Sequence, residues 1–576
     1  VSVAARSDVI TQQIVANALA SIADEMATTI YRTAHSTVVR DGMDFSAALC
    51  DASGETVAQA VSVPFHLGSL PVAMERLRSR YEGAMQPGDV FVMNDPFDGG
   101  IHLQDVFVFK PVFAGDDLVG YACTTAHHAD VGGRLPGSSA CDNTEIFQEG
   151  IRLPWLRLYD AGTPVEDVFR IIEANVRIPR MTLGDLRAQV AACTVAERAL
   201  LELVERYGKE RLAALMTALV EHTERLVRSE IASWPDGSAS FTDYLDSDGL
   251  ERVDVPVSVT VTIAGDELVA DFSESAPMVR GALNSTRSFI QAVVYQAVRA
   301  ALTVDVPNTS GAFRPIRVVT KPGTIVEVVM PGASSMRGVT GFRAFDAVNG
   351  ALAQLVPDRI PAAGEGGNTL AIFGGERPGG GRFVYYELVT GTWGATPEGD
   401  GNDGLTNPCS VAANIPVEVA ESEYPIRIER YGLVQDTGGA GRYRGGLAVE
   451  RAWRCLTGGT SLIVRSDRRA HPPYGLSGGR PGVPSSNVVE RRDGTLETLP
   501  PMVSTTVHAG DLFVHRTAGG GGYGDPLERD PFAVAEDVAE EKVSARAALE
   551  QYGVVLRPDG TVDEEATRKE RDARAG

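Results

Sequence analysis

Residues 253–265 (VDVPVSVTVTIAG) alternate apolar and polar side chains at nearly every step. Upstream, between 183 and 233, Leu186, Val190, Leu200, Val204, Leu212, Leu215 and Leu219 recur at helical spacing. A period of two places one face of a strand on a core, and a period of 3.6 does the same for one stripe of a helix. No single element satisfies both, so the chain builds sheet and helix in separate blocks, an α+β class with mixed β-sheets. With 576 residues it also exceeds what one hydrophobic core usually organises, which predicts several domains.

The pattern along the chain suggests five of them. Residues 1–182 read as an α/β region. Ser7 and Asp8 are placed to cap a helix carrying Ile10, Ile14, Ile22, Met26 and Ile30. Strands follow at 44–50, 89–94, 105–113 and 118–125, the last two joined by a turn at 115–117. Residues 183–235 read as a helical hairpin or bundle interrupted at Gly208. The breaker cluster Trp234-Pro235-Asp236-Gly237 then opens a central α+β domain, 236–373, with helices expected at 281–302 and 343–355. Residues 374–530 are glycine-rich and strand-prone, without the fixed repeat of a solenoid or propeller. Residues 531–576 read as an amphipathic helix (532–551) and a frayed charged tail.

Lys plus Arg number 53 against 76 Asp plus Glu, a formal charge of -23, which argues against a nucleic-acid or anionic-membrane surface. No apolar run approaches the ~20 residues of a membrane span. The amino terminus shows no secretion signal, so the expectation is a cytoplasmic protein. The six cysteines are scattered with no C-x-x-C pair, so any metal must be held by His and carboxylate.

Polar chemistry concentrates at two places. NDPFDGGIHLQD (94–105) sets His102 and Asp105 three residues apart, after a Gly-Gly turn at the mouth of a strand. The next strand pair ends in TTAHHADVGG (124–133), with His127, His128 and Asp130. Imidazole and carboxylate at adjacent strand ends suit Zn, Mn or Fe. A metal so held acidifies a bound water and polarises a carbonyl, which points to amide or ester hydrolysis. The plainer alternative is that these side chains bond turn backbones. Against it, five of the nine histidines (His35, His66, His102, His127 and His128) fall in the first quarter of the chain. His35 and His66 also read as ordinary packing residues. No phosphate loop is present: GGGGYGDP (519–526) lacks the Lys and Ser or Thr of one and reads as a tight turn. In GGAGRYRGG (438–446), Arg442 and Arg444 are suited to an anion, with close backbone packing as the alternative.

These motifs resemble the B subunit of the hydantoinase and oxoprolinase family, which is related to acetone carboxylase and caprolactamase subunits. The resemblance is carried by DFS (44–46), NDP (94–96), GGIHLQD (99–105), AHHADVGG (126–133), EG (149–150), NIPVE (414–418), DTGGAGRYRGG (436–446) and GYGDP (522–526). It implies a hetero-oligomer in which a hydantoinase A-type subunit with an actin-like ATPase fold uses ATP to phosphorylate a lactam or hydantoin. This chain then completes the hydrolysis at a divalent metal, Zn, Mn or Fe. It further implies His102, Asp105 and His127 as ligands, Asp44 as a fourth, and His128, Asp130 and Glu149 as groups that orient the ligands or move a proton. Gln104 and Phe97-Asp98 depart from the family's usual Pro and Tyr-His, which bears on substrate fit. Alternative roles are one component of an ATP-dependent ketone carboxylase, or a structural component in which the metal only staples loops.

Overall fold

The computed structural model describes residues 3–366 and 369–575. The first helix, α1 (Val3–Thr33), begins ahead of Ser7 and Asp8, so those residues lie within its first turns instead of capping it. After a short α2 (Thr37–Arg40) come β1 (Phe45–Asp51), β2 (Thr56–Gln59), α3 (Pro64–Tyr81), β3 (Val90–Met93), β4 (Asp105–Ala114), β5 (Asp117–His127), β6 (Leu156–Asp160) and β7 (Thr163–Pro164). These seven strands form one antiparallel sheet in the order β2-β1-β5-β4-β3-β6-β7. Helix α4 (Glu166–Asn175) leads into α5 (Pro179–Tyr207) and α6 (Lys209–Ile231), the hairpin expected from the leucine spacing, which turns at Gly208.

Adjacent strand residues face opposite sides of a sheet, and here the two sides carry different layers. Thr124 meets Cys193 of α5 on one side, while Ser46 meets His66 of α3 on the other. The strands β8 (Gly237–Leu245), β9 (Val255–Ala264), β10 (Glu267–Asp271) and β11 (Ile316–Val319) make a second sheet, antiparallel except for the β10–β11 pair. The buried residues of β9 alternate along the strand, as the period-two run requires. Helices α7 (Arg287–Ala301) and α8 (Arg337–Leu355) pack between this sheet and α3. Both helices start within a few residues of the positions expected, α7 later than 281 and α8 earlier than 343.

The carboxy-terminal half holds β12 (Thr369–Glu376), β13 (Arg382–Val389), α9 (Val417–Glu423), β14 (Ile426–Leu433), β15 (Val449–Cys455), β16 (Thr460–Arg465), β17 (Ser486–Glu490), β18 (Leu496–Thr498), β19 (Met502–Val507) and β20 (Leu512–Arg516). They form two antiparallel sheets, β13-β12-β16-β19 and β14-β15-β20-β17-β18. One face of the former carries Ile372, Tyr386 and Ile463 into the large core shared with the amino-terminal sheet. Its other face carries Phe373, Tyr385 and Leu462 into a separate core against the last sheet.

Residues 519–526 differ from the tight turn expected, and residues 438–446 take the close backbone packing that was the alternative to an anion site. Residues 437–446, 474–482 and 518–524 pack alongside one another and alongside 392–402, joined by backbone hydrogen bonds outside the sheets. Examples are Gly439 N to Gly520 O (2.8 Å), Gly522 N to Arg480 O (2.9 Å) and Ala395 N to Gly521 O (2.8 Å). Arg444 is buried in this bundle beside Asp403 and Asp537, so acidic side chains already neutralise it. The terminal segment is also more ordered than expected. It breaks into α10 (Pro531–Ala539) and α11 (Ala545–Tyr552), and the charged tail forms α12 (Glu564–Ala575).

Candidate metal centre

The register of the first sheet assembles the centre. Asp105 opens β4 directly opposite His127, the last residue of β5. The His127 amide donates to the Asp44 carbonyl at 2.9 Å, which brings the start of β1 to the same point. Three strand termini distant in sequence thus converge. His102 comes from the loop ahead of β4. Asn94 ties that loop down, donating to the Leu103 carbonyl at 2.7 Å while its own side-chain oxygen accepts from Leu153 N at 2.7 Å. Gly99 has φ near +100°, and a Cβ there would sit 3.0 Å from the Ala73 backbone, so the turn requires glycine.

Nitrogen or oxygen atoms of His102, Asp105 and His127 lie within 4.8 Å of one another, and all three residues are buried. His66 Nε2 is 3.4 Å from Asp105 Oδ1 and 3.7 Å from Asp44 Oδ1. Arg337, at the start of α8, donates to Asp105 Oδ2 at 2.8 Å and lies over the Phe289 ring. From β13, Tyr386 packs its ring 4.6 Å from that of His127. Arg465 of β16 is buried close enough to Asp44 and Asp105 to feel their charge.

What distinguishes the cluster is its unmet polar capacity. Asp44 Oδ1, His66 Nε2, both ring nitrogens of His102, Asp105 Oδ1 and His127 Nδ1 are buried without a hydrogen-bond partner. His102 Nε2 is 3.1 Å from Asp105 Oδ2 but lacks the alignment of a hydrogen bond. Each such orphan costs about 1–3 kcal/mol, and folded proteins hold only a few per hundred residues. A divalent cation would engage these lone pairs, so the donor set fits Zn, Mn or Fe.

The electrostatics suit ligation. Burial, reinforced by the Arg337 charge, lowers the pKa of His102 to about 4. Burial and His102 hold His127 well below the usual histidine range. Both rings are therefore neutral at pH 7, with lone pairs available. Burial alone would raise Asp105, yet His102, His66 and Arg337 together keep it well below its ordinary value. Asp44 rises to about 6, chiefly through burial.

The other expected residues lie around this cluster. His128 hydrogen-bonds Gln189 of α5 at 3.0 Å, on the far side of the sheet from α3. Asp130 accepts from the amides of Gly132, Gly137 and Arg177 and pairs with the Arg177 guanidinium at 3.0 Å, which fixes the loop after β5. Glu149 accepts from Ser334 N and Ser335 N, both at 2.8 Å, through one oxygen. Its other oxygen is buried and unpartnered, and burial raises its pKa to about 8. His35, by contrast, packs against Gly184 of α5.

The family model described as Hydantoinase B/oxoprolinase matches residues 8–526. The chain belongs to the hydantoinase B/oxoprolinase family. Among its relatives, the B-type component of a putative D-/L-hydantoinase from a Pseudomonas species is 32% identical over 98% of each chain. The beta chain of the Pseudomonas jessenii caprolactamase is 32% identical over 98% of this chain and 99% of its own. The crystal structure of the ATP-dependent caprolactamase from that organism superposes with a TM-score of 0.90, covering 98% and 99% of the two chains at 31% identity. A nucleotide-free acetone carboxylase structure also gives a TM-score of 0.90, covering 98% of this chain and 83% of that one. At 21% identity, this likeness shows the fold alone. Both Pseudomonas relatives are named as subunits, which implies a partner chain for each of them. No helix among the described residues is long and apolar enough to cross a membrane.

Sequence reading missed His66, Arg337, Tyr386 and Arg465. His66 belongs to the early histidine cluster, which was its only available signal. The other three reach the centre from more than two hundred residues downstream, and nothing local marks them.

Proposed function

We propose that this chain is the metal-dependent B subunit of a cytoplasmic, ATP-dependent cyclic amide hydrolase. It completes the ring opening of a lactam or hydantoin that a hydantoinase A-type ATPase partner has phosphorylated. The observation that supports it most is the buried convergence of unpartnered ligand atoms from His102, Asp105 and His127, with Asp44 beside them. These four residues would hold a Zn, Mn or Fe ion, which when bound would acidify water and polarise the attacked carbonyl.

The protein's own groups divide the remaining work. Arg337 fixes one oxygen of Asp105 and leaves the other free. With a pKa of about 8, Glu149 carries a proton at neutral pH near the value at which it is readily given up, which suits protonation of a departing ring nitrogen. His128 and Asp130 hold the segment that follows His127. Phosphorylation falls to the partner, in keeping with the missing phosphate loop.

The test is reconstitution with the A-type partner and a panel of 5-oxoproline, hydantoin and caprolactam. Ring opening should require ATP, proceed without bicarbonate, stop on chelation and return with Mn2+ or Zn2+. His102→Ala and His127→Ala should lower kcat by about 10³-fold or more while the complex still assembles. Loss of assembly would instead favour a structural staple, and dependence on bicarbonate with a ketone substrate would favour a carboxylase.

A further inference from the structure

The start of α8 meets the centre with more hydrogen-bond donors than acceptors. Arg337, its first residue, is 3% exposed and gives Nη2 to Asp105, but its Nε has no partner. The Phe289 ring, 4.7 Å from the guanidinium carbon, fixes that group in place. Three residues earlier, the Ser334 hydroxyl is also buried and unpartnered. So is that of Ser285, whose segment is tied alongside by Asn284 Nδ2 to Ala333 O at 3.0 Å and Met336 N to Ala282 O at 2.8 Å. Met336, at the cap position of the helix, supplies no side-chain oxygen. Glu149 takes up the Ser334 and Ser335 amides through one oxygen, holds a proton at neutral pH and so brings no negative charge.

Buried donors without acceptors are costly, and an acceptor-only group would satisfy them together. The charge balance points the same way. Asp44 and Asp105 face two buried guanidiniums, those of Arg337 and Arg465, so the carboxylates are already matched before any ion is bound. A divalent cation held by the proposed ligands would then leave the buried centre about two charges positive, which an anion must offset. The positive end of the 19-residue α8 adds to this field. A phosphoryl group fits both requirements, with a charge of about −2 near neutral pH and three strong acceptor oxygens.

We propose that the start of α8 is the subsite for the phosphoryl group of the activated substrate, held by Arg337 Nε and the Ser334 hydroxyl, with Ser285 beside them. The proposal rests on the metal-centre reading above and adds where the phosphorylated end of the substrate is gripped. Arg337 then serves two groups at once, Asp105 through Nη2 and the phosphoryl oxygens through Nε.

The experiment titrates orthophosphate into the full-length protein loaded with Mn2+, by calorimetry, with metal affinity measured separately by equilibrium dialysis. The parent should bind orthophosphate. Ser334→Ala should weaken that binding about tenfold or more, as loss of a hydrogen bond to a charged group does, while the metal Kd stays within about twofold. Arg337→Lys keeps the charge but has no Nε–H, and should weaken it at least as much. A packing role alone would leave phosphate affinity unchanged at constant metal affinity. A metal-loaded parent that binds no orthophosphate would overturn the proposal. So would binding unaltered in the variants, which would place phosphate on the ion alone; Ser334→Ala decides this if Arg337→Lys fails to fold. In the reconstituted complex, ring opening unchanged in Ser334→Ala despite weaker orthophosphate binding would also overturn it, and would assign the site to free orthophosphate. A parent that takes up no metal would instead remove the metal-centre reading, and the subsite with it.

Discussion

Glu149 concentrates the tension of this centre in one side chain. Its carboxyl is wholly buried, held by two backbone amides through one oxygen and by nothing through the other. Burial raises its pKa from 4.5 to about 8. The folded protein therefore binds this proton more tightly than the unfolded chain does. The group's contribution is intact below the unfolded value near 4.5 and is lost as pH rises towards about 8, at up to about 1.4 kcal/mol per pH unit. Glu149→Gln keeps an oxygen for the two amides and cannot ionise. Measured by thermal unfolding, the variant should match the parent near pH 5 and gain on it steadily up to pH 8. A pH-independent difference would mean that Glu149 is not protonated in the folded state. In the reconstituted complex the same variant should lose ring-opening activity at pH 7, which separates the proton's chemical role from its structural cost.

At the scale of elements, the packed glycine segments show how much backbone proximity depends on a missing side chain. A Cβ on Gly445 would meet the Gly520 carbonyl oxygen at 1.9 Å, and one on Gly379 would meet nothing within 4 Å. Gly445→Ala should therefore destabilise by about 3 kcal/mol or more, seen as a lower Tm or loss of soluble protein, while Gly379→Ala should be close to neutral. Equal effects would show that the bundle tolerates side chains. The partners of that packing were not legible in the sequence, even at 438–446 where close backbone packing was one reading, because a glycine run specifies neither a turn nor a neighbouring segment on its own. Elements with a strong period of their own were legible, notably β4, β5, β9 and the hairpin of α5 and α6, since apolar spacing is a local property. The centre divides along the same line. His102, Asp105 and His127 flank strands that the sequence marks, and the β4–β5 register brings Asp105 and His127 opposite each other. Arg337, Tyr386 and Arg465 depend on tertiary packing alone. The single helix expected at 532–551 failed for a related reason. Its amphipathic pattern continues across the break, where Glu541 adopts φ near 59° and the chain turns to pack α11.

Across the whole molecule, the proposed ligands come from strand ends of the amino-terminal sheet and the loop ahead of β4, while Tyr386 and Arg465 come from the third sheet and Arg337 from α8. These parts must be held in register. A second polar cluster joins them. Arg343 of α8 contacts Asp467 at 2.8 Å and both Asp243 and Asp346 at 3.4 Å, and Arg468 contacts Asp243 at 2.9 Å and also Asp346. Asp243 belongs to β8, Asp346 to α8, and Asp467 and Arg468 follow β16, so one buried network ties the second sheet and its helix to the third sheet. Two guanidiniums serve three carboxyl groups there, and burial already raises the pKa of Asp243, Asp346 and Asp467. Arg343→Met would leave those carboxyls with a single cation in a dry environment, a loss of about 3–5 kcal/mol. All the proposed metal ligands lie outside the network, and contributions from separate sites combine nearly additively. The variant should therefore unfold at a clearly lower temperature yet bind metal with a Kd within about twofold of the parent at temperatures where both are folded. Ring opening should fall further than metal binding, because Tyr386 and Arg465 are positioned by the third sheet that the network anchors. A loss of metal affinity as large as the loss of activity would show that the two clusters act as one unit, and that the amino-terminal sheet cannot hold its ligands in place without the carboxy-terminal half.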